Sequence, residues 1–154
     1  MLHPERLFVA GLLHDIGSLV LYHYRPDAMR DLLLVAQGDE EVLYHAERES
    51  LGFTHAGLAG ALLGEWQLPE ELQQAVCWHH EPGLAQVARV EAHLVYLSNL
   101  VVNESDQGNF MGAPGDDALV NQAILDELRI DRDALISAYD EAAEQFPSTC
   151  QALL

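Results

Sequence analysis

The sequence has few basic residues. It carries seven Lys and Arg residues against 25 Asp and Glu, and its formal net charge is −18. Proteins that bind nucleic acid neutralise phosphates with basic patches, and so few basic residues cannot form one. Anionic membrane surfaces are disfavoured for the same reason, and a phosphorylated substrate would need a metal ion to offset the acidic field. The charge therefore argues against nucleic acid and membrane partners.

Cysteines and long apolar runs are also scarce. The two cysteines, Cys77 and Cys150, lack the spacing of a metal site or a redox pair, so we expect inert thiols in a reducing cytoplasm. No uninterrupted apolar run reaches the roughly 20 residues that span a bilayer, and no basic segment precedes the first apolar stretch, as it does in a secretory signal. We therefore expect a cytoplasmic protein, and its 154 residues are most simply one domain.

The apolar residues recur with helical periodicity, and no segment alternates as a strand does. The sequence predicts an all-α fold, a single helical bundle of about seven or eight helices. Pro4 begins the first helix, and Gly17 is expected to break or bend it. Further helices are predicted over residues 27–37, 39–51, 54–66, 69–82 and 86–103. A loop follows at 107–115. Asp116–Asp117 and Asp131 are expected to cap two C-terminal helices, and Pro147 should kink or end the second of these.

The predicted helix that begins after Thr54 has two distinct rows of residues. His55 lies at the N-terminal edge of an apolar stripe that ends at Trp66, which we interpret as a core or core-edge aromatic. A row of small residues, Ala56, Gly60 and Gly64, lets another helix approach closely.

An adjacent His–Asp pair, His14–Asp15, ends an apolar run and is followed by Gly17. Two ionisable side chains beside apolar residues are costly to bury unless they are paired or hold a metal. Imidazole and carboxylate are ligands that Zn, Fe and Mn accept. Further histidines downstream, His55 and the doublet His79–His80, strengthen the pattern.

These motifs resemble the HDOD family, the HD-related output domains of bacterial signalling proteins. The resemblance rests on Gly-Leu-Leu-His-Asp-Ile-Gly at 11–17, Glu47 ahead of Gly-Phe-Thr-His-Ala at 52–56, Trp-Gln-Leu-Pro-Glu at 66–70 and His-His-Glu-Pro at 79–82. It covers roughly residues 5–103, and it implies a helical bundle of the HD-domain type. It also implies kinship with HD phosphohydrolases and HD-GYP cyclic-dinucleotide phosphodiesterases.

The chain departs from the catalytic relatives in several places. The first histidine of the HD phosphohydrolase pattern has no counterpart, and the distant aspartate corresponds to Asn99, a poorer cation ligand. Ser18 stands where HD-GYP proteins have a lysine, and the Asp-Gly-x-Gly-Tyr-Pro stretch is replaced by Pro-Gly-Leu at 82–84. Hydrolysis of cyclic dinucleotides is therefore not expected.

Two interpretations of the cluster remain open. In one, the histidines and the aspartate bind one or two divalent metal ions (Fe, Mn, Zn or Ni) that activate water. In the other, no metal binds and the same side chains form a buried hydrogen-bonded network. The candidate metal ligands are His14, Asp15, His55, His79 and His80, with Glu47 as an extra ligand or an orienting residue and Asp15 as the one catalytic candidate.

The resemblance favours a non-catalytic signalling output or scaffolding domain that acts on protein partners in the bacterial cytoplasm. The alternative is a metal-dependent phosphohydrolase, either a phosphomonoesterase or a phosphodiesterase. We expect an HDOD-like domain over residues 1–154, with a family core at 5–103, a loop at 104–116 and C-terminal helices at 117–154, lacking the family's N-terminal helical region. Apolar side chains left without that cover predict a homodimer through the N-terminal or C-terminal helices.

Overall fold

The computed structural model describes residues 3–104 and 122–153. Over these ranges it contains nine α-helices, one short 3-10 helix and no strand, so the predicted all-α fold is confirmed. The chain forms two compact units, residues 1–114 and 115–154. The helices are α1 (Pro4–Leu13), α2 (Ile16–Tyr24), α3 (Pro26–Ala36), α4 (Glu40–Leu51), α5 (His55–Glu65), α6 (Glu70–Cys77), the 3-10 helix Pro82–Leu84, α7 (Arg89–Glu104), α8 (Gln122–Leu128) and α9 (Arg132–Leu153).

A turn at His14 and Asp15 separates α1 from α2. The sequence predicts this interruption at Gly17, and that position is wrong, because Gly17 lies inside α2. The glycine is needed for close packing: a Cβ added there would lie 2.0 Å from the carbonyl oxygen of His55 on α5. The missing side chain thus lets α2 rest directly on the start of α5.

The α5 helix packs against both α2 and α6. Its residue Ala59 is fully buried. The small-residue row admits α6 as predicted, since a Cβ added to Gly60 would lie 2.6 Å from the Cβ of Cys77. Trp66 is not a core residue: it is 51% exposed, because α5 ends at Glu65 and Trp66 forms its C-cap. The apolar core around α5 consists of Ala10, Ala59, Leu63, Leu72, Ala75, Val76, Ala88 and Val95.

A second apolar cluster joins α2, α3 and α4. Gln37 ends α3 in the left-handed conformation, with a φ of 51°. Asp39 then caps α4, because its side chain accepts a hydrogen bond of 3.0 Å from the backbone N–H of Val42. These contacts orient α4 so that Glu47 is fully buried. The cluster consists of Leu21, Met29, Leu32, Ala36 and Leu43.

The segment Pro4–Tyr24 is long and apolar enough to cross a membrane by length and composition alone, which the sequence analysis did not anticipate. Core helices and signal sequences share this length and composition. The turn at His14–Asp15 divides the segment, and α1 packs on α6 and α7 while α2 packs on α3 and α5. We therefore treat it as part of the bundle. Its outward side is apolar, with Phe8, Leu12 and Leu19 exposed by 63%, 66% and 65%.

The second unit contains α8 and α9. Asp131 precedes α9, and its side chain accepts a hydrogen bond of 3.3 Å from the backbone N–H of Asp133. Pro147 does not end α9, which continues to Leu153. The predicted loop at 107–115 and the cap at Asp116–Asp117 lie outside the described residues.

Candidate metal centre

The histidines and the aspartate singled out in the sequence come from separate elements of the first unit. His14 and Asp15 form the turn between α1 and α2, and His55 is the first residue of α5. The doublet His79–His80 follows α6 directly. Packing of both α2 and α6 against α5 brings these three positions together.

Asp15 lies at the centre of the cluster. Its Oδ1 is 3.4 Å from His55 Nε2 and 3.8 Å from His79 Nε2. Its Oδ2 is 3.2 Å from His14 Nε2, and His80 Nε2 is 3.0 Å from His55 Nε2. Ligands of one cation lie about 3–4 Å apart when each metal–ligand bond is about 2.1 Å. The structure thus brings all the predicted ligands to separations that suit a metal.

Local hydrogen bonds set the backbone at two of these positions. Thr54 caps α5, because its Oγ1 accepts a hydrogen bond of 3.1 Å from the backbone N–H of Gly57, and this fixes His55 in the first turn. After α6, the backbone N–H of Glu81 donates to the carbonyl of Trp78 at 3.0 Å. That turn holds His79 and His80 beside α5.

Three imidazoles are held in the same way, through Nδ1. His14 Nδ1 lies 2.7 Å from the Gly11 carbonyl oxygen, and His79 Nδ1 lies 2.7 Å from the Val76 carbonyl oxygen. A carbonyl can only accept, so Nδ1 must donate in both rings. His55 Nδ1 likewise lies 2.7 Å from Oε2 of Glu47. In the neutral form of each ring, Nε2 therefore presents its lone pair to the cluster.

Several polar atoms of the cluster are buried without a hydrogen-bond partner among the described residues. They include His14 Nε2, Asp15 Oδ1 and His79 Nε2. The contact between His14 and Asp15 is thus an ion-pair distance without hydrogen-bond geometry. Buried polar atoms are nearly always satisfied in folded proteins. A cation at this point would satisfy them, so the residues present fit a metal site.

His80 contacts both His55 and Tyr44. Its ring stacks on Tyr44, with the centroids 4.4 Å apart. The tyrosine hydroxyl donates to Glu81 at 2.7 Å, and Arg48 also bonds to Glu81. Because two Nε2 atoms face each other between His80 and His55, either a proton or a shared cation must lie between them.

Burial and charge act in opposite directions on His14. Burial alone would lower its pKa, but the contact and the negative charge of Asp15 outweigh burial and raise that pKa to about 9. Burial would raise the pKa of Asp15, yet His14 and the neighbouring imidazoles hold it well below its usual range. Each member of the pair thus favours the charged form of the other.

Burial would lower the pKa of His55, but the hydrogen bond and the charge of Glu47 raise it. The two histidines that follow α6 are shifted the other way. Burial lowers the pKa of His79 to about 4, and burial together with the neighbouring charge of His79 lowers that of His80 to about 2. The side chain of His79 is fully buried and that of His80 is 5% exposed. Both are therefore in the protonation state in which imidazole binds metals.

Glu47 orients His55. Its Oε2 accepts from both the backbone N–H and the Nδ1 of His55, each at 2.7 Å. A carboxylate on the far nitrogen of a metal-ligating histidine fixes the ring and raises its basicity. This geometry favours the orienting function over that of a ligand.

Glu40 is a site residue that the sequence analysis missed. Its carboxylate belongs to a group with Asp15 and His55 whose ligand atoms lie within 4.8 Å of one another. Burial, followed by the charge of Asp15, raises the pKa of Glu40 to about 7. A run of acids at the start of a helix, such as residues 39–41, is ordinarily explained by compensation of the helix dipole. Helical spacing could have identified Glu40, because it shares the inward face of α4 with Leu43 and Glu47.

The cluster is open to solvent on one side. The Asp15 side chain is 45% exposed. A groove of about 340 Å³ between α1 and α7 reaches His14 and Asn99. The groove is otherwise lined by Leu7, Gly11, Leu94, Val95, Ser98 and Val102.

Two further histidines have local partners outside the cluster. His45 bonds to Glu41 at 3.0 Å on the exposed side of α4. His93 is buried, and its Nδ1 lies 2.6 Å from the carbonyl oxygen of Arg89. Neither histidine belongs to the cluster.

Comparison with known proteins identifies the family. The HDOD domain family matches residues 1–82, which is more than half of the chain. A solved structure of a proposed signal transduction protein from Marinobacter aquaeolei VT8 matches 96% of this chain at 28% identity, with a TM-score of 0.77. This chain spans 32% of that protein, about a third of its length. No curated protein matches. The chain therefore belongs to the HDOD domain family, as the motifs indicated.

Proposed function

We propose that this chain is a non-catalytic signalling output domain that acts on protein partners and binds a divalent cation in its histidine–aspartate cluster. Its family and its similarity to the Marinobacter protein support the signalling function. The observation that carries the cation proposal is the shared orientation of His14, His55 and His79. Each ring is held at Nδ1 and directs Nε2 towards Asp15, which is how metal-ligating histidines are supported in proteins.

The cation would be Fe, Mn, Zn or Ni, since the donors are imidazole nitrogens and a carboxylate. When bound, it supplies a positive charge that satisfies Asp15 Oδ1 and His79 Nε2. It also links the α1–α2 turn to the start of α5 and the end of α6. Binding would therefore make this face of the bundle more rigid, which suits a surface that partners recognise.

The proposal of a non-catalytic domain rests on Asn99. Where the HD phosphohydrolase pattern has a carboxylate, Asn99 offers an amide whose Nδ2 donates to Glu40 at 2.8 Å. An amide so engaged neither binds a cation strongly nor accepts a proton from water. We propose that signalling proceeds through partner binding.

A metal-dependent phosphohydrolase is the second candidate, and the exposure of Asp15 beside the groove favours it. A cation at Asp15 could activate water within reach of a phosphoester. The test is hydrolysis of bis(p-nitrophenyl) phosphate by protein loaded with Mn²⁺. Turnover that Asp15→Asn abolishes would establish this function, and its absence is expected for a non-catalytic domain.

Metal content tests the cation proposal. The protein is purified without added metal, dialysed against chelator, reloaded with Zn²⁺ or Mn²⁺ and analysed by elemental mass spectrometry. We expect at least one cation per chain in the wild type, and a loss in His79→Gln and in Asp15→Asn. His45→Gln is the matched control because it removes an exposed imidazole outside the cluster. Wild-type protein that stays metal-free under both cations would overturn the proposal.

A further inference from the structure

Glu40 lies at the first position of α4, but it does not serve the helix end. Asp39 already caps α4 through the backbone N–H of Val42, and Glu41 pairs with His45 on the exposed side. Glu40 instead is half-buried and lies with Asp15 and His55, their ligand atoms within 4.8 Å of one another. Capping and dipole compensation therefore leave its position unexplained.

Two amides of α7 hold the Glu40 carboxylate. Asn99 Nδ2 donates to Oε2 of Glu40 at 2.8 Å, and Asn103 Nδ2 donates to the same oxygen. Asn103 also donates to Oδ1 of Asn99 at 3.2 Å, which fixes the direction of the Asn99 amide. Both hydrogen bonds reach Oε2, and neither engages Oε1.

A positive charge near Glu40 would stabilise the carboxylates that lie there. Two half-buried carboxylates, Glu40 and Asp15, lie near one imidazole, and like charges at such separations repel unless a cation lies between them. His79 Nε2, which is buried without a hydrogen-bond partner among the described residues, lies 3.8 Å from Asp15 Oδ1. Asp15 is thus shared by two groups of possible ligands, one with Glu40 and His55 and one with His14 and His79.

We propose that Glu40 supplies the second carboxylate of the cation site and that Asn99 and Asn103 are its positioning residues. This inference rests on the proposed cation binding. The carboxylate comes from α4, whereas the position of Asn99 on α7 provides only an amide. An asparagine at this position can donate a hydrogen bond to the Glu40 carboxylate, whereas an aspartate would repel that carboxylate.

An oxygen ligand has a consequence for metal preference. Carboxylate oxygens suit Mn²⁺, whereas imidazole nitrogens suit Zn²⁺. Removing the Glu40 charge should therefore weaken Mn²⁺ binding more than Zn²⁺ binding. A residue with a merely structural function would affect both cations alike.

The experiment is calorimetric titration of the metal-free chain with Mn²⁺ and, separately, with Zn²⁺. Glu40→Gln keeps the side-chain volume, and Glu49→Gln removes the same charge from an exposed position of α4. We expect Glu40→Gln to weaken Mn²⁺ binding by at least about tenfold and Zn²⁺ binding by less. Glu49→Gln should stay within about twofold of the wild type for both cations, since exposed charges are screened.

Each outcome has one meaning. Wild-type protein that binds neither cation overturns the proposed cation site itself. If the wild type binds Mn²⁺ and Glu40→Gln binds it as Glu49→Gln does, the cation site stands and the assignment of Glu40 is wrong. Asn99→Leu removes the amide that holds the Glu40 carboxylate, so it should weaken Mn²⁺ binding in the same direction as Glu40→Gln. Mn²⁺ affinity equal to that of the wild type would overturn the positioning function of Asn99.

Discussion

Gly17 offers a sharp test of how α2 packs on α5. In Gly17→Ala the new Cβ would lie 2.0 Å from the carbonyl oxygen and 2.9 Å from the carbonyl carbon of His55. Both atoms belong to the backbone, so no side chain can rotate away, and the helices must separate by more than about 1 Å to reach normal contact. Overpacking of this kind costs about 1–3 kcal/mol. Alanine returns about 1 kcal/mol of helix propensity.

Because the clash is with the backbone, its cost should lie near about 3 kcal/mol, the upper end of that range. Once the gain of about 1 kcal/mol in propensity is subtracted, we expect the free energy of unfolding to fall by about 2 kcal/mol. Gly11→Ala is the matched control, because Gly11 is an exposed residue of α1 with no other atom within 4 Å of the added Cβ. That variant should gain up to about 1 kcal/mol.

Urea unfolding of the metal-free chain, followed by tryptophan fluorescence, measures both variants. Trp66 and Trp78 are the two tryptophans, and both lie in the first unit. A loss of about 2 kcal/mol lowers the urea midpoint by about 1 M. A Gly17→Ala midpoint at or above that of the wild type would refute the packing of α2 on α5.

Three further predictions follow from the cap, the charges and the surface. Thr54→Ala should lower the free energy of unfolding by about 1 kcal/mol, because α5 loses its N-cap; Thr54→Ser, which retains the hydroxyl, should be nearly neutral in the same urea assay. Cation affinity should rise by up to about tenfold per pH unit between pH 6 and 9. In the metal-free chain, the contact with Asp15 raises the pKa of His14 to about 9, so the metal must displace a proton from His14. Calorimetry in buffers of different ionisation enthalpy measures the proton released, and equal affinities at pH 6 and 8 would contradict this. Finally, the exposed Phe8 and Leu12 predict a homodimer that tightens with salt, which screens the net charge of −18; light scattering from a 17.0 kDa particle in both low and high salt would contradict it.

The all-α fold could be read from the sequence because helical periodicity is a local property. The first residues of α4 and α5 were predictable for the same reason, since Asp39 and Thr54 cap these N-termini through neighbouring backbone amides. Gly17 was misread because its purpose is not local. Only the packed structure shows that its missing Cβ makes room for the backbone of α5.

The meeting of His14, His55 and His79 was predictable because the order of the motifs resembled a known family. Helical spacing places Glu40 on the inward face of α4, but its partner Asn99 lies about 60 positions away on α7, and no local pattern joins the two. Its neighbours Asp39 and Glu41 do have the local functions that a run of acids at a helix start suggests. Residues in such a run differ in the helix face they occupy. In the sequence, the spacing between Glu40 and Glu47 was the sign that these two residues share a face.

X-ray absorption at the zinc edge tests the central claim most directly. The metal-free chain is loaded with one equivalent of Zn²⁺, and the outer-shell scattering of imidazole is used to count the histidine ligands. The account predicts at least two imidazoles together with carboxylate oxygen at about 2.0–2.1 Å. A zinc ion surrounded by oxygen alone, or protein that retains no zinc, would contradict it.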